Sequence, residues 1–174
     1  MKKLLALAAC VAIVLASSCG FADTETVDGI EWTYMIGDGK ASVGSVWYFS
    51  PAIPTSTSGA ITIPSSLGGY PVTSIMNFAF DSCCGLTSVT IPNSVTSIGR
   101  DAFYGCSGLT SVTFSGDAPR VGKCAFDGVG DGCVVNIPRW CKDTYEVVDG
   151  KWQGMIVVYY GCIVAGRRFS PRYT

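Results

Sequence analysis

The chain has 174 residues, of which 48% are hydrophobic and 14% charged, with 21 glycines, 9 cysteines and no histidine. This length fits one domain or one short repeat array, and the missing histidine excludes Ser-His and Cys-His nucleophile systems and every histidine-containing metal site. A formal net charge of -1, without a basic patch that contains aromatic residues, argues against nucleic acid as a partner.

Residues 1–22 have the layout of a secretory signal peptide. Two lysines precede an apolar stretch, Leu4 to Ala16, that is too short to span a bilayer. We therefore expect export to the periplasm, the medium or the cell surface, with cleavage after Ala22 and no membrane span in the mature chain. Two alternatives stay open: acylation of Cys10 or Cys19, as in a bacterial lipoprotein, and retention of the segment as an anchor.

Residues 23–58 are predicted to form an N-terminal β cap and a linker. Gly29–Ile36 and Ala41–Tyr48 flank a Gly-Asp-Gly turn and therefore predict a β-hairpin. Prolines and a Ser/Thr run then predict an extended linker over residues 51–58.

The strongest pattern is a 23-residue period over residues 59–138. Residue types return at this spacing in several columns: Ile75, Ile98 and Val121; Phe80, Phe103 and Phe126; Cys83 and Cys106; Val89, Val112 and Val135. A unit of this length is too short to bury its own apolar side, so neighbouring units must stack. The insertion Gly68–Pro71 has no counterpart in the next copy and predicts a loop extruded from the first coil.

Within each unit, alternation over Thr87–Ile91 predicts a short strand, and strands repeated with the same polarity must be parallel. Asp101–Cys106 predicts a single helical turn with Asp101 as its N-cap. Together these patterns predict an α+β repeat solenoid: a short right-handed array of about three 23-residue coils with parallel strands, flanked by β-hairpin caps.

The segment Ile91–Thr113, with the sequence IPNSVTSIGRDAFYGCSGLTSVT, closely resembles the repeat of BspA-like leucine-rich repeat proteins. The resemblance covers residues 59–138 and weakens in the third copy, where Phe114–Pro119 replaces the Ile-Pro opening. It implies a bacterial, secreted or surface protein with an adhesion-type binding role towards a protein or glycan surface, without catalysis or a cofactor. A structural, envelope-associated protein with no discrete ligand is the alternative.

The candidate binding face is the outward side of the strands. Ser88 and Thr90 recur as Ser111 and Thr113, which predicts a flat, weakly polar surface of stacked hydroxyl side chains. The same residues also suit a solvated parallel strand, so the pattern leaves both interpretations open.

Residues 139–174 are predicted to form a C-terminal β cap and a basic tail. Tyr145–Val148 and Trp152–Tyr160 flank an Asp-Gly turn and predict a second hairpin. All four tryptophans of the chain lie outside the repeats, and their size predicts that they act as lids on the core rather than as ligand platforms. They are Trp32, Trp47, Trp140 and Trp152.

Seven cysteines follow Ala22. Cys83 and Cys106 are equivalent positions whose side chains run parallel, so we expect buried, reduced thiols there. Cys141 and Cys162 are the candidate disulfide pair. We expect no metal site, because the chain has no CxxC pair and the loop Asp127–Gly132 lacks the acid spacing of a calcium loop.

Overall fold

The computed structural model describes residues 22–46 and 51–160. Four sequence predictions concern residues outside this part of the chain. They are the signal peptide with Cys10 and Cys19, the end of the predicted strand Ala41–Tyr48 with Trp47, the disulfide partner Cys162, and the basic tail.

Thirteen short strands make up almost all of the regular structure described. They are β1 (Asp23–Val27), β2 (Ile30–Gly37), β3 (Lys40–Val43), β4 (Gly59–Thr62), β5 (Ser66–Leu67), β6 (Tyr70–Ile75), β7 (Leu86–Ile91), β8 (Ser97–Ile98), β9 (Ser111–Phe114), β10 (Arg120–Val121), β11 (Val134–Pro138), β12 (Lys151–Trp152) and β13 (Met155–Tyr160). A 3₁₀ helix, Arg139–Thr144, is the one helix among the described residues. No helix in this part of the chain has the length and apolar character that a membrane span needs.

The first sheet has the order β12-β13-β11-β9-β7-β4, and its strands from β4 to β13 are parallel. Its register equals the sequence period, since Ser111 pairs with Ser88 on one side and with Val134 on the other. Stacking at the 23-residue spacing is therefore confirmed. It places each apolar column of the sequence in the interior.

The second sheet has the order β1-β2-β3-β6-β8-β10, with β5 paired to β6. Strands β3, β6, β8 and β10 are parallel, whereas β1, β2 and β3 are antiparallel. The predicted hairpin is thus present as β2 and β3, and β5 and β6 form the loop extruded at Gly68–Pro71. The two sheets form a β-solenoid of about four turns.

The predicted helical turn at Asp101–Cys106 is wrong, and the fold is a β-solenoid with almost no helix rather than α+β. Asp101 and its equivalents one coil before and after, Phe78 and Cys124, have positive φ angles of 54°, 58° and 58°. A right-handed helix cannot pass through that backbone conformation. The segment keeps only single-turn bonds, such as Tyr104 N–H to Asp101 C=O at 3.2 Å, and also bonds to the neighbouring coil, as Phe103 N–H does to Ala125 C=O at 2.8 Å.

The number of turns, about four, exceeds the predicted number of about three because β13 adds a further parallel strand to β11. Val134 pairs with Ile156, 22 residues along the chain, so a comparison of columns at 23 residues does not find that this predicted strand joins the parallel stack. At the predicted turn, residues 149–150, a single antiparallel bridge joins Val148 to Lys151. A second turn, at Gln153-Gly154, connects β12 to β13.

A ladder of phenylalanine rings fills the core. Phe80, Phe103 and Phe126 stack with centroid separations of 4.8 and 5.2 Å and an interplanar angle of 4° in both pairs. The buried side chains of Trp32 and Trp152 contact the first and last ring at 6.2 and 6.1 Å. Such close-packed aromatic rings contribute strongly to stability through the area that they bury.

Neighbouring coils approach each other closely at Gly99, and a substitution there tests this contact. A Cβ atom there would lie 2.5 Å from both the backbone nitrogen and Oδ1 of Asn77. Oδ1 also accepts a hydrogen bond from the Arg100 N–H at 2.8 Å. We therefore expect Gly99→Ala to lower the free energy of unfolding by about 1–3 kcal/mol, as overpacking does. Urea unfolding monitored by circular dichroism measures the change.

Gly37→Ala is the matched control, since a Cβ atom at Gly37 meets nothing within 4 Å. Its free energy of unfolding should match that of the unsubstituted chain or slightly exceed it. An equal loss of stability in both variants would contradict the close contact between coils.

Candidate functional site

The four residues predicted as the binding face lie together on one surface. Ser88 pairs with Ser111 and Thr90 with Thr113 in neighbouring parallel strands. All four side chains are partly exposed, whereas the alternate residues Val89 and Val112 are fully buried. The strand period of two therefore turns these hydroxyl groups away from the core.

The surface extends across all five parallel strands. It consists of two rows of outward positions, which we call the outward face: Ala60, Ser88, Ser111, Val134 and Ile156; and Thr62, Thr90, Thr113, Asn136 and Val158. None of the ten carries a charge. The face changes along the stack from hydroxyl groups to apolar side chains, with Ile156 47% and Val158 44% exposed.

Asn136 organises the polar centre of the outward face. Its Nδ2 donates to Ser111 Oγ at 2.9 Å and to Thr113 Oγ1 at 3.2 Å. Both hydroxyl groups act as acceptors here and keep their own hydrogens as donors. No group in the described part of the chain donates to Oδ1 of Asn136. The two hydroxyl groups can therefore still donate, and Oδ1 of Asn136 can still accept.

Two aromatic rings border the apolar end of the face. Trp140 is 68% exposed and meets the ring of Tyr160 edge to face, with a centroid separation of 6.3 Å. Tyr160 follows Ile156 and Val158 on the same side of β13, and its hydroxyl group donates to the carbonyl oxygen of Phe114 at 2.6 Å. Burial is the main cause that raises the pKa of Tyr160, so this donor stays protonated at neutral pH.

The prediction that Trp140 is a lid on the core is wrong. The 3₁₀ helix that follows β11 buries Cys141 as its inward residue. The neighbouring Trp140 is left on the surface, beside the end of the outward face. The sequence contains no signal that separates Trp140 from the buried Trp32 and Trp152, since all three lie in the flanks of the repeats.

Side chains suited to metal binding are not assembled in the described residues. No cluster of three or more Cys, Asp or Glu side chains that could hold a metal ion occurs there. The loop Asp127–Gly132 lines an open cleft of about 400 Å³ together with Lys151 and Met155. Burial raises the pKa of Cys133, the thiol in the lining of this cleft, so this thiol is protonated at neutral pH.

Cys83 and Cys106 are free and fully buried, as predicted. Cys106 Sγ donates to the carbonyl oxygen of Phe80 at 3.0 Å. Burial is the main cause that raises the pKa of Cys83 to about 11 and that of Cys106 to about 12. Both thiols therefore remain protonated at neutral pH and act as small hydrophobic groups in the core. Cys141 is also buried and free of any described cysteine.

Residues 60–146 match the family described as the BspA type leucine-rich repeat region, in six copies. The structure is similar to a leucine-rich repeat protein from Bacteroides capillosus, with 28% identity and a TM-score of 0.54, over 79% of this chain and 99% of that one. No curated protein matches the chain.

Two further solved structures are similar at lower scores. A leucine-rich repeat protein from T. pallidum has 20% identity and a TM-score of 0.42, over 78% of this chain and 64% of that one. A leucine-rich cell surface protein from Faecalibacterium prausnitzii has 25% identity and a TM-score of 0.42, over 79% of this chain and 43% of that one.

The buried thiols predict that the fold loses stability at alkaline pH. The folded pKa of Cys106, about 12, lies above its ordinary value of 9.0, so the unfolded chain loses this proton first as the pH rises. Stability from this group is complete below about pH 9 and is lost as the pH rises towards the folded pKa. Cys106→Val should therefore lose less stability than the unsubstituted chain as the pH rises. The urea midpoint, measured at several values between about pH 8 and about pH 10.5, checks this expectation.

Valine is the chosen replacement because Val129 occupies the same column one coil later. The exposed Cys84 provides the control. In Cys84→Ser, the urea midpoint should fall with pH as steeply as it does in the unsubstituted chain. If the urea midpoint falls equally steeply with pH in Cys106→Val and in the unsubstituted chain, the raised pKa of Cys106 does not contribute to the loss of stability.

Proposed function

The chain belongs to the BspA-type leucine-rich repeat family, and from this premise we propose that it is a secreted or cell-surface binding module of the adhesion type. Its partner is a protein or glycan surface, and the module is not an enzyme. The observation that carries this proposal is the outward face, where ten uncharged side chains form two rows across five parallel strands.

The composition and rigidity of the outward face support a binding role. The buried centres of protein interfaces are depleted of charged residues, as these ten positions are, and a cation, Lys151, lies at their edge beside Ile156. The three central strands beneath it are fixed by pairing to their neighbours and by the fully buried side chains of Val89, Val112 and Val135. A surface that is already ordered loses little conformational entropy on binding.

Export is proposed on the layout of residues 1–22, with lipidation of Cys19 or Cys10 as the alternative route to the cell surface. We also propose that the terminal hairpins are caps of the array. Trp32 and Trp152 lie against the end rings of the phenylalanine ladder, which would otherwise be open to water.

Two arginines on the outward face test the proposal. Ser88→Arg with Ser111→Arg places two bulky charges side by side on adjacent strands. We expect at least a tenfold loss of saturable binding to immobilised extracts of bacterial and host cell surfaces, with an unchanged circular dichroism spectrum. The two added side chains block close contact with the face, and their charges must be desolvated on binding.

The matched control is Ser74→Arg with Ser97→Arg. These two residues are also paired in adjacent parallel strands 23 residues apart, but in the other sheet. Binding should survive in this control. Equal loss in both double variants would contradict a role of the outward face, and no saturable binding by the unsubstituted chain would favour the alternative of a structural, envelope-associated protein.

A further inference from the structure

We propose that the cleft beside the turn of the third coil, residues 122–130, binds an extended and positively charged peptide segment of a partner protein. The cleft lies at the end of the stack and shares only Ile156 with the outward face, so this inference goes beyond the proposed function. It rests on a row of backbone donors without acceptors and on the charge of the cleft.

Alternate backbone N–H groups of one turn bond to carbonyl groups of the next turn. The donors of the first coil are Phe78, Phe80 and Ser82, and their acceptors are Arg100, Ala102 and Tyr104, at 3.1, 2.7 and 2.8 Å. The donors of the second coil are Asp101, Phe103 and Gly105, and their acceptors are Lys123, Ala125 and Asp127, at 3.1, 2.8 and 2.9 Å. The three donors of a turn thus require three carbonyl groups on alternate residues of an adjoining segment.

The equivalent donors of the third coil are Cys124, Phe126 and Gly128, and none of them has an acceptor in the described part of the chain. The turn nevertheless keeps the conformation of the second coil. Cys124 has a φ angle of 58°, against 54° at its equivalent Asp101. Gly128 has a φ angle of 72°, against 68° at Gly105. This matching conformation directs the three N–H groups away from the second coil, towards the end of the stack.

The hairpin that follows the third coil does not supply these acceptors. The carbonyl oxygen of Gly150, for example, accepts from Val157 N–H at 2.9 Å. The cleft lies between this hairpin and the third turn, with Phe126 and Gly128 in its lining. Phe126 is only 5% exposed. A backbone donor in such a buried residue gains free energy when an acceptor reaches it.

A peptide main chain supplies what this row of donors requires. Successive residues of an extended peptide alternate in direction, so every second carbonyl group points to the same side. Proteins commonly bind extended peptides by such main-chain hydrogen bonds at an open sheet edge. The strand that leads into the third turn, β10, is the last strand of the second sheet, so the open edge continues there. The donors therefore fit a main chain better than a compact ligand.

The side chains of the cleft favour a positively charged peptide. Asp127 and Asp131 are exposed in its lining, and Lys151 is the one cation among the lining residues. Neither carboxylate forms an ion pair within the described residues. Two carboxylates against one ammonium group attract lysine or arginine side chains and disfavour an acidic segment.

Amide hydrogen exchange and a peptide titration of the ¹⁵N-labelled chain, both followed by NMR, test the inference. The probe is a heptapeptide of alternating alanine and lysine with blocked ends, and the comparison peptide has glutamate in place of lysine. In the free chain, the amide hydrogens of Phe126 and Gly128 should exchange at least tenfold faster than those of Phe103 and Gly105. The lysine peptide should bind saturably and slow the exchange of Phe126 and Gly128 at least fivefold. It should bind at least tenfold more tightly than the glutamate peptide.

Asp127→Lys with Asp131→Lys tests the charge preference. This variant should bind the lysine peptide at least tenfold more weakly, and the glutamate peptide more tightly, than the unsubstituted chain does. The matched control is Asp143→Lys with Glu146→Lys, because both residues are exposed, lie outside the cleft and change the net charge equally. It should bind both peptides as the unsubstituted chain does. Circular dichroism and the urea midpoint verify that each variant is folded.

Several results would overturn the inference. They include no saturable binding of the lysine peptide, equal binding of both peptides, and binding that leaves the exchange of Phe126 and Gly128 unchanged. Slow exchange of these two amides in the free chain would show that they already have an acceptor, which also overturns it. Residues 161–174 are then the occupant if Arg167→Glu with Arg168→Glu makes the exchange fast, and a second copy is the occupant if dilution does so.

The variant Ser88→Arg with Ser111→Arg separates this inference from the proposed function. Peptide binding that survives in this variant supports a site apart from the outward face, whatever the result with cell-surface extracts. Loss of peptide binding would place the peptide on the outward face and overturn the inference.

Discussion

Hydrogen bonds and ring stacking between successive coils are the interactions on which the rest of the structure depends. The turn of each coil donates its backbone N–H groups to the next coil, as Phe80 does to Ala102 and Phe103 does to Ala125. The phenylalanine ladder joins the same coils inside, with parallel rings about 5 Å apart. No coil can satisfy its backbone or bury its ring by itself, so the coils form only as a stack.

The outward face is a consequence of this stacking. Because the 23-residue register brings like residues to lie beside one another, Ser88 pairs with Ser111 and Thr90 with Thr113. The same register carries Asn136 to Thr113, where its amide bridges two hydroxyl groups. Regular pairing of the repeated residues therefore forms a flat surface with hydrogen-bonding groups. The proposed binding function uses that surface.

The sequence predicts the parts of the fold that follow from the period, and it does not predict those that depart from it. The columns of Phe80 and Val89 predict the core and the strand register. The positive φ angles of Phe78, Asp101 and Cys124 are imposed by pairing between coils, and these residue types do not indicate them. The strand at β13 is predicted as part of a hairpin, but its parallel pairing with β11 is missed because the offset is 22 residues. Trp140 is misassigned because exposure in a 3₁₀ helix depends on which neighbour packs inward, here Cys141.

Removal of one whole coil tests the central claim most directly. A chain without residues 92–114 loses one 23-residue period and keeps every remaining column in register, so that Phe80 meets Phe126. A chain without residues 92–111 keeps three additional residues in the joined coil, which must bulge out for the later strands to pair in register. Urea unfolding followed by circular dichroism should show a cooperative β structure for the first chain and a lower urea midpoint for the second. Equal midpoints of the two chains would contradict the claim that the 23-residue register between coils holds the structure together.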